Sequence, residues 1–253
     1  MRLSSPIRVN WHVCSPTFVA LTVSLQLSGS PTTRRRIELL IRQIPAWVAQ
    51  TNAWVVASEP GGQAIVVDAP PEPEMIGQYL ASIDVAVVGI FLTHGHVDHT
   101  GGAGWLASKT GAPTYVHPDD DFLTLHPTEQ LRALFGMIPP GEFDLPEKME
   151  PLHHGQVVDL AGLSLEIRQT PGHTPGHCCF YWAQEGVLFS GDQLFAGSIG
   201  RTDLPGGSHQ ALLDSMRTEV MTLQDDVRVL PGHGSETTIG EERRTNPFRH
   251  EWA

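Results

Sequence analysis

The sequence predicts an α/β fold in which two sheets pack face to face with helices outside. Three observations carry that prediction. Several short β-rich runs broken by Pro and Gly come first, strands then alternate with helical spacing, and a chain of 253 residues can bury one generous core. Hydrophobic content of 40% against 17% charged residues is that of a soluble globular protein rather than a disordered one.

Past Arg34 to Arg36, the runs "IELLIRQIP", "AWVVAS" and "AIVVDAP" read as a strand meander opening a sheet. In "PEPEMIGQYLASI", residues Met75, Ile76, Tyr79, Leu80 and Ile83 recur at helical spacing. "VAVVGIFLT" is continuously apolar, as expected of a buried strand. "GGAGWLASKT" is expected to form a helix ended by Gly111, and "APTYVH" another strand. The stretch from Asp119 to Phe143 is polar-mixed, partly helical and rich in Pro and Gly towards its end, so it is a candidate lid that shapes a substrate pocket. "QVVDLAGLSLEIRQT" and "CCFYWAQEGVLFSGD" suggest two strand pairs, and "DVRVLPGHG" a last strand. "HQALLDSMRTEVMTL" and "IGEERRTNPF" supply late helices. No internal repeat or low-complexity segment interrupts this order.

A formal charge of −12 argues against a nucleic-acid backbone or an anionic membrane as partner. A small anionic substrate stays open, because a bound cation can reverse the local field. Cys14, Cys178 and Cys179 form no disulfide framework and suggest a reduced, cytoplasmic setting. Val13 to Leu27 is too short and too interrupted for the ~18 apolar residues of a membrane span. With Arg2 and Arg8 before it, that stretch weakly resembles a signal peptide; the preferred reading is that residues 1–35 are a disordered or non-native extension before a domain at 36–253.

The chemistry is concentrated in "FLTHGHVDHTGG". His94 and His96 are two apart, so in an extended segment both rings point the same way. Asp98 and His99 follow as the chain turns towards a helix and can face a second point nearby. One cation is thus offered two imidazoles and its neighbour a carboxylate and an imidazole, a donor set that suits zinc, iron or manganese. Two such sites need further ligands. His173 stands on the Pro-Gly turn of "TPGHTPGH", Asp192 ends the strand "VLFSGD", and His233 follows the last strand in "PGHG". Each lies just beyond an apolar strand, where strand ends on one edge of a sandwich can converge. Asp192 has two oxygens with which to bridge two cations.

"THGHVDH", "TPGHTPGH", "GDQLF" and "PGHG", in that order, resemble the signature of the metallo-β-lactamase-fold hydrolases, and within them the glyoxalase II-like (hydroxyacylglutathione hydrolase-like) short bacterial proteins. The resemblance runs from about Ile37 onward and includes "GSIGRTDLPGG" and "ERRTNPF". It implies the four-layer αββα sandwich, two facing mixed sheets with helices outside. It also implies two divalent cations, zinc first with iron or manganese as alternatives. His94, His96 and His173 would hold one, Asp98, His99 and His233 the other, and Asp192 would bridge. Asp68, which ends "AIVVD", matches an aspartate that orders the ligand loop from behind. His177 would be a supporting or structural residue rather than a ligand. Arg201 falls where longer members place a basic residue that meets the substrate carboxylate, with an ion pair to Asp203 as the competing explanation. His117, His153 and His154 read as loop and surface residues.

The activity implied is hydrolysis of a small-molecule thioester, S-D-lactoylglutathione or a similar 2-hydroxyacyl thioester. A hydroxide shared by the two cations would attack, oriented by Asp98. No Ser or Cys nucleophile is required, and "GxSxG" is absent. The resemblance also leaves open a mono-iron persulfide dioxygenase of the same fold, a β-lactamase or lactonase, and a non-catalytic metal-binding scaffold. Neither nucleic acid nor membrane is an expected partner, and the protein would be a monomer or homodimer.

Overall fold

The computed structural model describes residues 40–253; the amino-terminal stretch discussed above, with Cys14, lies outside the described residues. Two six-stranded mixed sheets face each other. In the first, β1 (Leu40–Ala46), β2 (Thr51–Ala57) and β3 (Gln63–Val67) form the antiparallel meander. β4 (Ala86–Phe91), β5 (Thr114–Val116) and β6 (Met149–Pro151) then add in parallel, in the order β1-β2-β3-β4-β5-β6. The second sheet contains β7 (Val157–Leu160), β8 (Leu163–Gln169), β9 (Cys178–Trp182) and β10 (Val187–Gly191), all antiparallel. β13 (Arg228–Pro231) runs parallel to β10, and β14 (Thr237–Thr238) closes that edge. A small hairpin, β11 (Leu194–Phe195) and β12 (Ser198–Ile199), follows β10.

Strand alternation makes the four layers. Along β2, Trp54 and Val56 point between the sheets, where they meet Phe91, Ile167, Phe180, Phe189 and Leu230. Ala53, Val55 and Ala57 point the other way, onto α1 (Pro73–Ser82) and α3 (Ala103–Thr110) through Ile76, Leu80 and Leu106. On the far side, Cys179, Leu188 and Val229 cover α6 (His209–Ser215) through Leu212 and Leu213. Adjacent Cys178 and Cys179 therefore enter different clusters, one between the sheets and one outside. Phe91 anchors the middle, stacked on Tyr115 at 4.6 Å and edge-on to Phe180 at 5.8 Å. Truncating it to Ala would cost about 3–5 kcal/mol.

The αββα sandwich is as the sequence led us to expect, with local differences. A single turn, α2 (Val97–Thr100), precedes α3, and Gly101 and Gly102 between them pack against Pro71 and Pro70. α6 continues as a π-helical turn, Met216–Val220, and α7 (Ile239–Thr245) and α8 (Arg249–Trp252) end the chain. The segment expected to be a partly helical lid forms a 3-10 turn (Pro118–Asp120), α4 (Asp121–Thr124) and α5 (Pro127–Phe135). Asp120, Gln130 and Leu131 of this segment are buried against the turn after β4. Among the described residues no helix is long and apolar enough to cross a membrane.

Candidate metal centre

β4, β10 and β13 all end on one edge of the sandwich, and the turns after them, with the turn after β8, carry the seven side chains singled out in the sequence. The structure brings all seven together. His94, His96 and His173 form one group of converging donor atoms, Asp98, His99 and His233 a second, and Asp192 joins His94 and His99 in a third. His96 Nδ1 lies 2.8 Å from His173 Nε2 and 3.1 Å from His94 Nε2, and His94 Nε2 and His173 Nε2 are 3.2 Å apart. Around Asp98 Oδ2, His233 Nε2 is at 3.3 Å and His99 Nε2 at 3.5 Å. Asp192 reaches both groups, with Oδ1 3.4 Å from His99 Nε2 and Oδ2 3.5 Å from His173 Nε2 and 3.6 Å from His233 Nε2.

Partners behind the rings fix which nitrogens face inward. The Arg201 carbonyl can only accept, so His173 Nδ1 donates to it at 2.7 Å and leaves Nε2 a bare lone pair. The Thr93 hydroxyl donates to Asp68, so His94 Nδ1 donates to that hydroxyl at 3.0 Å and its Nε2 is bare as well. Two lone pairs thus face each other at 3.2 Å, an arrangement relieved by a cation between them or by a proton on His96 Nδ1, 2.8 and 3.1 Å away. A tetrahedral ion with bonds of ~2.0–2.1 Å would hold its nitrogens roughly 3.3 Å apart, so the spacing fits a metal. Asp192 Oδ1 gives the same indication, being buried without a hydrogen-bond partner.

Asp68 supports the site from the end of β3, where it adopts a left-handed φ of 59°. It accepts from the Thr93 amide at 2.8 Å and from His99 Nδ1 at 2.8 Å, aiming His99 Nε2 at the centre. The His177 ring has both nitrogens occupied. Its Nε2 accepts the Asp192 amide at 3.0 Å, so its Nδ1 donates to the Thr170 hydroxyl at 2.8 Å. No lone pair of this ring is left for a cation. The Arg201 guanidinium is exposed and forms two 2.7 Å bonds with Asp203, the competing explanation given above. His117 lies apart, its Nδ1 accepting the Asp119 amide in the 3-10 turn.

Charge in the centre is set by burial and by neighbouring groups. Burial and the crowding of imidazoles hold His94 well below the ordinary histidine value; burial takes His96 to about 3 and His173 to about 4. For His99 burial also opposes charge, but Asp192, Asp98 and Asp68 outweigh it and raise the pKa to about 10. Asp98 is held well below the carboxylate range, because His99 and His233 outweigh its burial.

Sequence reading missed Thr51 and Asn52. The Thr51 hydroxyl donates to Asp98 Oδ2 at 2.8 Å. Asn52 Nδ2 donates to the carbonyls of Pro231 and Gly234, both at 3.0 Å, and cradles the turn that carries His233. The available signal was a polar pair opening an otherwise apolar strand.

Comparison with known proteins agrees with this geometry. Residues 46–233 match the model of the metallo-β-lactamase superfamily. An uncharacterized protein of Mycobacterium tuberculosis is 40% identical over 220 residues, 83% of this chain and 97% of its own length. Hydroxyacylglutathione hydrolase GloC of Haemophilus influenzae is 36% identical over 208 residues, 82% of this chain and 97% of its own. Among solved structures, the BLEG-1 B3 metallo-β-lactamase has a TM-score of 0.76 at 33% identity, covering 83% of this chain and 99% of that one. A protein crystallised in a di-iron-bound form, TTHA1623, has a TM-score of 0.73 at 36% identity, covering 82% and 99%.

Proposed function

The chain belongs to the metallo-β-lactamase superfamily, whose members are mostly metal-dependent hydrolases, and from that membership we propose that it is a binuclear thioester hydrolase. The proposed substrate is S-D-lactoylglutathione or a close 2-hydroxyacyl thioester. The observation that carries the reading is the pair of donor trios sharing Asp192. Similarity to a hydroxyacylglutathione hydrolase supports the substrate class.

His94, His96 and His173 would hold the first cation, Asp98, His99 and His233 the second, and Asp192 would bridge them. Zinc suits this imidazole–carboxylate set, with iron or manganese as alternatives, and a relative solved with two irons supports a pair of ions. Two divalent cations there would supply Lewis acidity and a water of lowered pKa. Asp98, aimed by Thr51, orients the attacking water; Asp68 keeps His99 Nε2 turned inward; and His177 holds the Asp192 backbone in place. A cysteine nucleophile does not suit the described residues. Burial raises Cys178 well above the ordinary thiol value and Cys179 to about 12, so neither supplies a thiolate at neutral pH.

The test is thiol release from a panel of acyl thioesters, by protein as purified and after chelation. Loss on chelation, recovery with zinc, iron or manganese, and preference for 2-hydroxyacyl groups are expected; undiminished turnover after complete metal removal would end the reading. Likeness to a B3 metallo-β-lactamase favours a second reading, β-lactam hydrolysis by the same centre. A β-lactam in the panel separates the two, since its preferential cleavage would replace the thioester assignment.

A further inference from the structure

We propose that Asp120 is a positioning residue that locks the turn carrying His94 and His96 to the turn carrying His173, and thereby sets the affinity of the three-histidine site. The two turns leave different sheets, one after β4 and the other after β8. One backbone bond, from the Cys178 amide to the Thr93 carbonyl at 2.7 Å, joins the strand after the second turn to the start of the first, yet three nitrogens must still converge within about 3 Å to share one cation.

The fully buried carboxylate of Asp120 reaches both turns. Its Oδ2 accepts the Gly95 amide at 2.7 Å, between His94 and His96, and the Thr174 hydroxyl at 2.6 Å, next to His173. Its Oδ1 accepts the Gly176 amide at 2.6 Å. Bonds to an ionised acceptor are the short, strong kind, and all three end on the ligand turns. The fit is close on both sides. A β-carbon at Gly95 would come 2.9 Å from Asp120 Cβ, and one at Gly176 would come 2.8 Å from Asp120 Cγ. Gln130 secures the first turn further, accepting the Val97 amide at 3.1 Å and donating to the Gly95 carbonyl at 3.0 Å. The segment from the 3-10 turn to α5 is therefore a buttress for the metal-binding turns.

This inference rests on the reading of His94, His96 and His173 as a metal triad, so the test measures the cation directly. Cobalt(II) and zinc(II) affinities are determined by competition with a chromophoric chelator, and the cobalt d–d spectrum is recorded, for the unaltered chain and for Asp120→Asn, Thr174→Val and Thr174→Ser. Asparagine keeps the shape but offers one oxygen where two are needed. In Asp120→Asn the first-site affinity is expected to fall about 10- to 100-fold, the range seen when groups behind metal ligands are removed. Thr174→Val should lose affinity in the same direction with an altered cobalt spectrum, and Thr174→Ser, which keeps the hydroxyl, should recover both. If Asp120→Asn does not fold, the Thr174 pair alone decides. Unchanged affinity and spectrum in Asp120→Asn and Thr174→Val, whatever their melting temperatures, would overturn the role of Asp120 and leave the metal centre standing. An unaltered chain that binds neither cobalt nor zinc would overturn both.

Discussion

Thr51 donates its hydroxyl to Asp98 Oδ2, the same oxygen that faces His233 and His99. That bond aims the carboxylate at the second trio. Thr51→Val keeps the side-chain shape and removes the donor. Hydrogen bonds to charged groups contribute about 1.5–3 kcal/mol, so second-site affinity is expected to fall roughly 10- to 100-fold. Thr51→Ser should restore it. Chelator competition measures the effect, and unchanged affinity in the Val variant would mean that Asp98 is held in place without Thr51.

His177 presents the opposite case, a histidine in the ligand motif whose lone pair is already used by the Asp192 amide. His177→Phe fills the ring space but leaves that amide buried without an acceptor, at a cost of about 1–3 kcal/mol. Elemental analysis is expected to find the unaltered number of cations per chain, while urea unfolding shows the lost stability. His173→Ala should lose a cation. A missing cation in the well-folded Phe variant would make His177 a ligand.

How much of this was legible beforehand depended on sequence separation. His94, His96, Asp98 and His99 announce themselves because their spacing is local, and His173, Asp192 and His233 because each stands at a visible strand end. Thr51, Asn52 and Asp120 do not, since their partners are set only when the sheets pack: Thr51 meets Asp98 at a separation of 47 residues and Asp120 meets Gly176 at 56. β6 was missed because three residues ending in Pro151 give no alternating pattern, and proline is tolerated there only as an edge residue. The Asp119 to Phe143 segment resembled a lid because its Pro and Gly content suggests a loop. Its buried positions, Asp120, Leu123, Thr124, Pro127, Gln130 and Leu131, do recur at helical spacing, but half of them are polar, so no hydrophobic period shows.

The chelated protein should have a pH optimum of stability. His96 at about 3 and His173 at about 4 lie below the ordinary value of 6.5, so between these values the unfolded chain binds more protons. Their contribution is present above 6.5 and is lost as pH falls towards 4 and 3. His99, raised to about 10, contributes below 6.5 and loses that contribution as pH rises towards 10. Urea midpoints across a pH series should therefore peak near 6.5 and fall on both sides. A cation must also displace the His99 Nε2 proton, so loading at pH values below its pKa should release protons. Calorimetry in two buffers of different ionisation heat detects that release; identical heats in both would contradict the raised pKa of His99.

Gly232 gives the sharpest steric test of how the two sheets share the centre. Its amide donates to the Gly191 carbonyl at 2.8 Å, and its carbonyl accepts the Asn52 amide at 2.7 Å, so the peptide is held from both sides and cannot retreat. A β-carbon there would run into Asp192 Oδ1 and come 2.6 Å from His99 Cε1. Gly232→Ala must therefore push the Asp192 carboxylate or the His99 ring off position, at an overpacking cost of about 1–3 kcal/mol. Loss of one cation is expected, with thioester turnover reduced about a hundredfold or more, since a 1 Å misplacement alone can cost that much. Gly234→Ala serves as the control. It has a φ of 75° but nothing within 4 Å of its β-carbon, so it is expected to lose stability while keeping both cations. Full metal content and turnover in Gly232→Ala would show that Asp192 and His99 do not need the positions seen here.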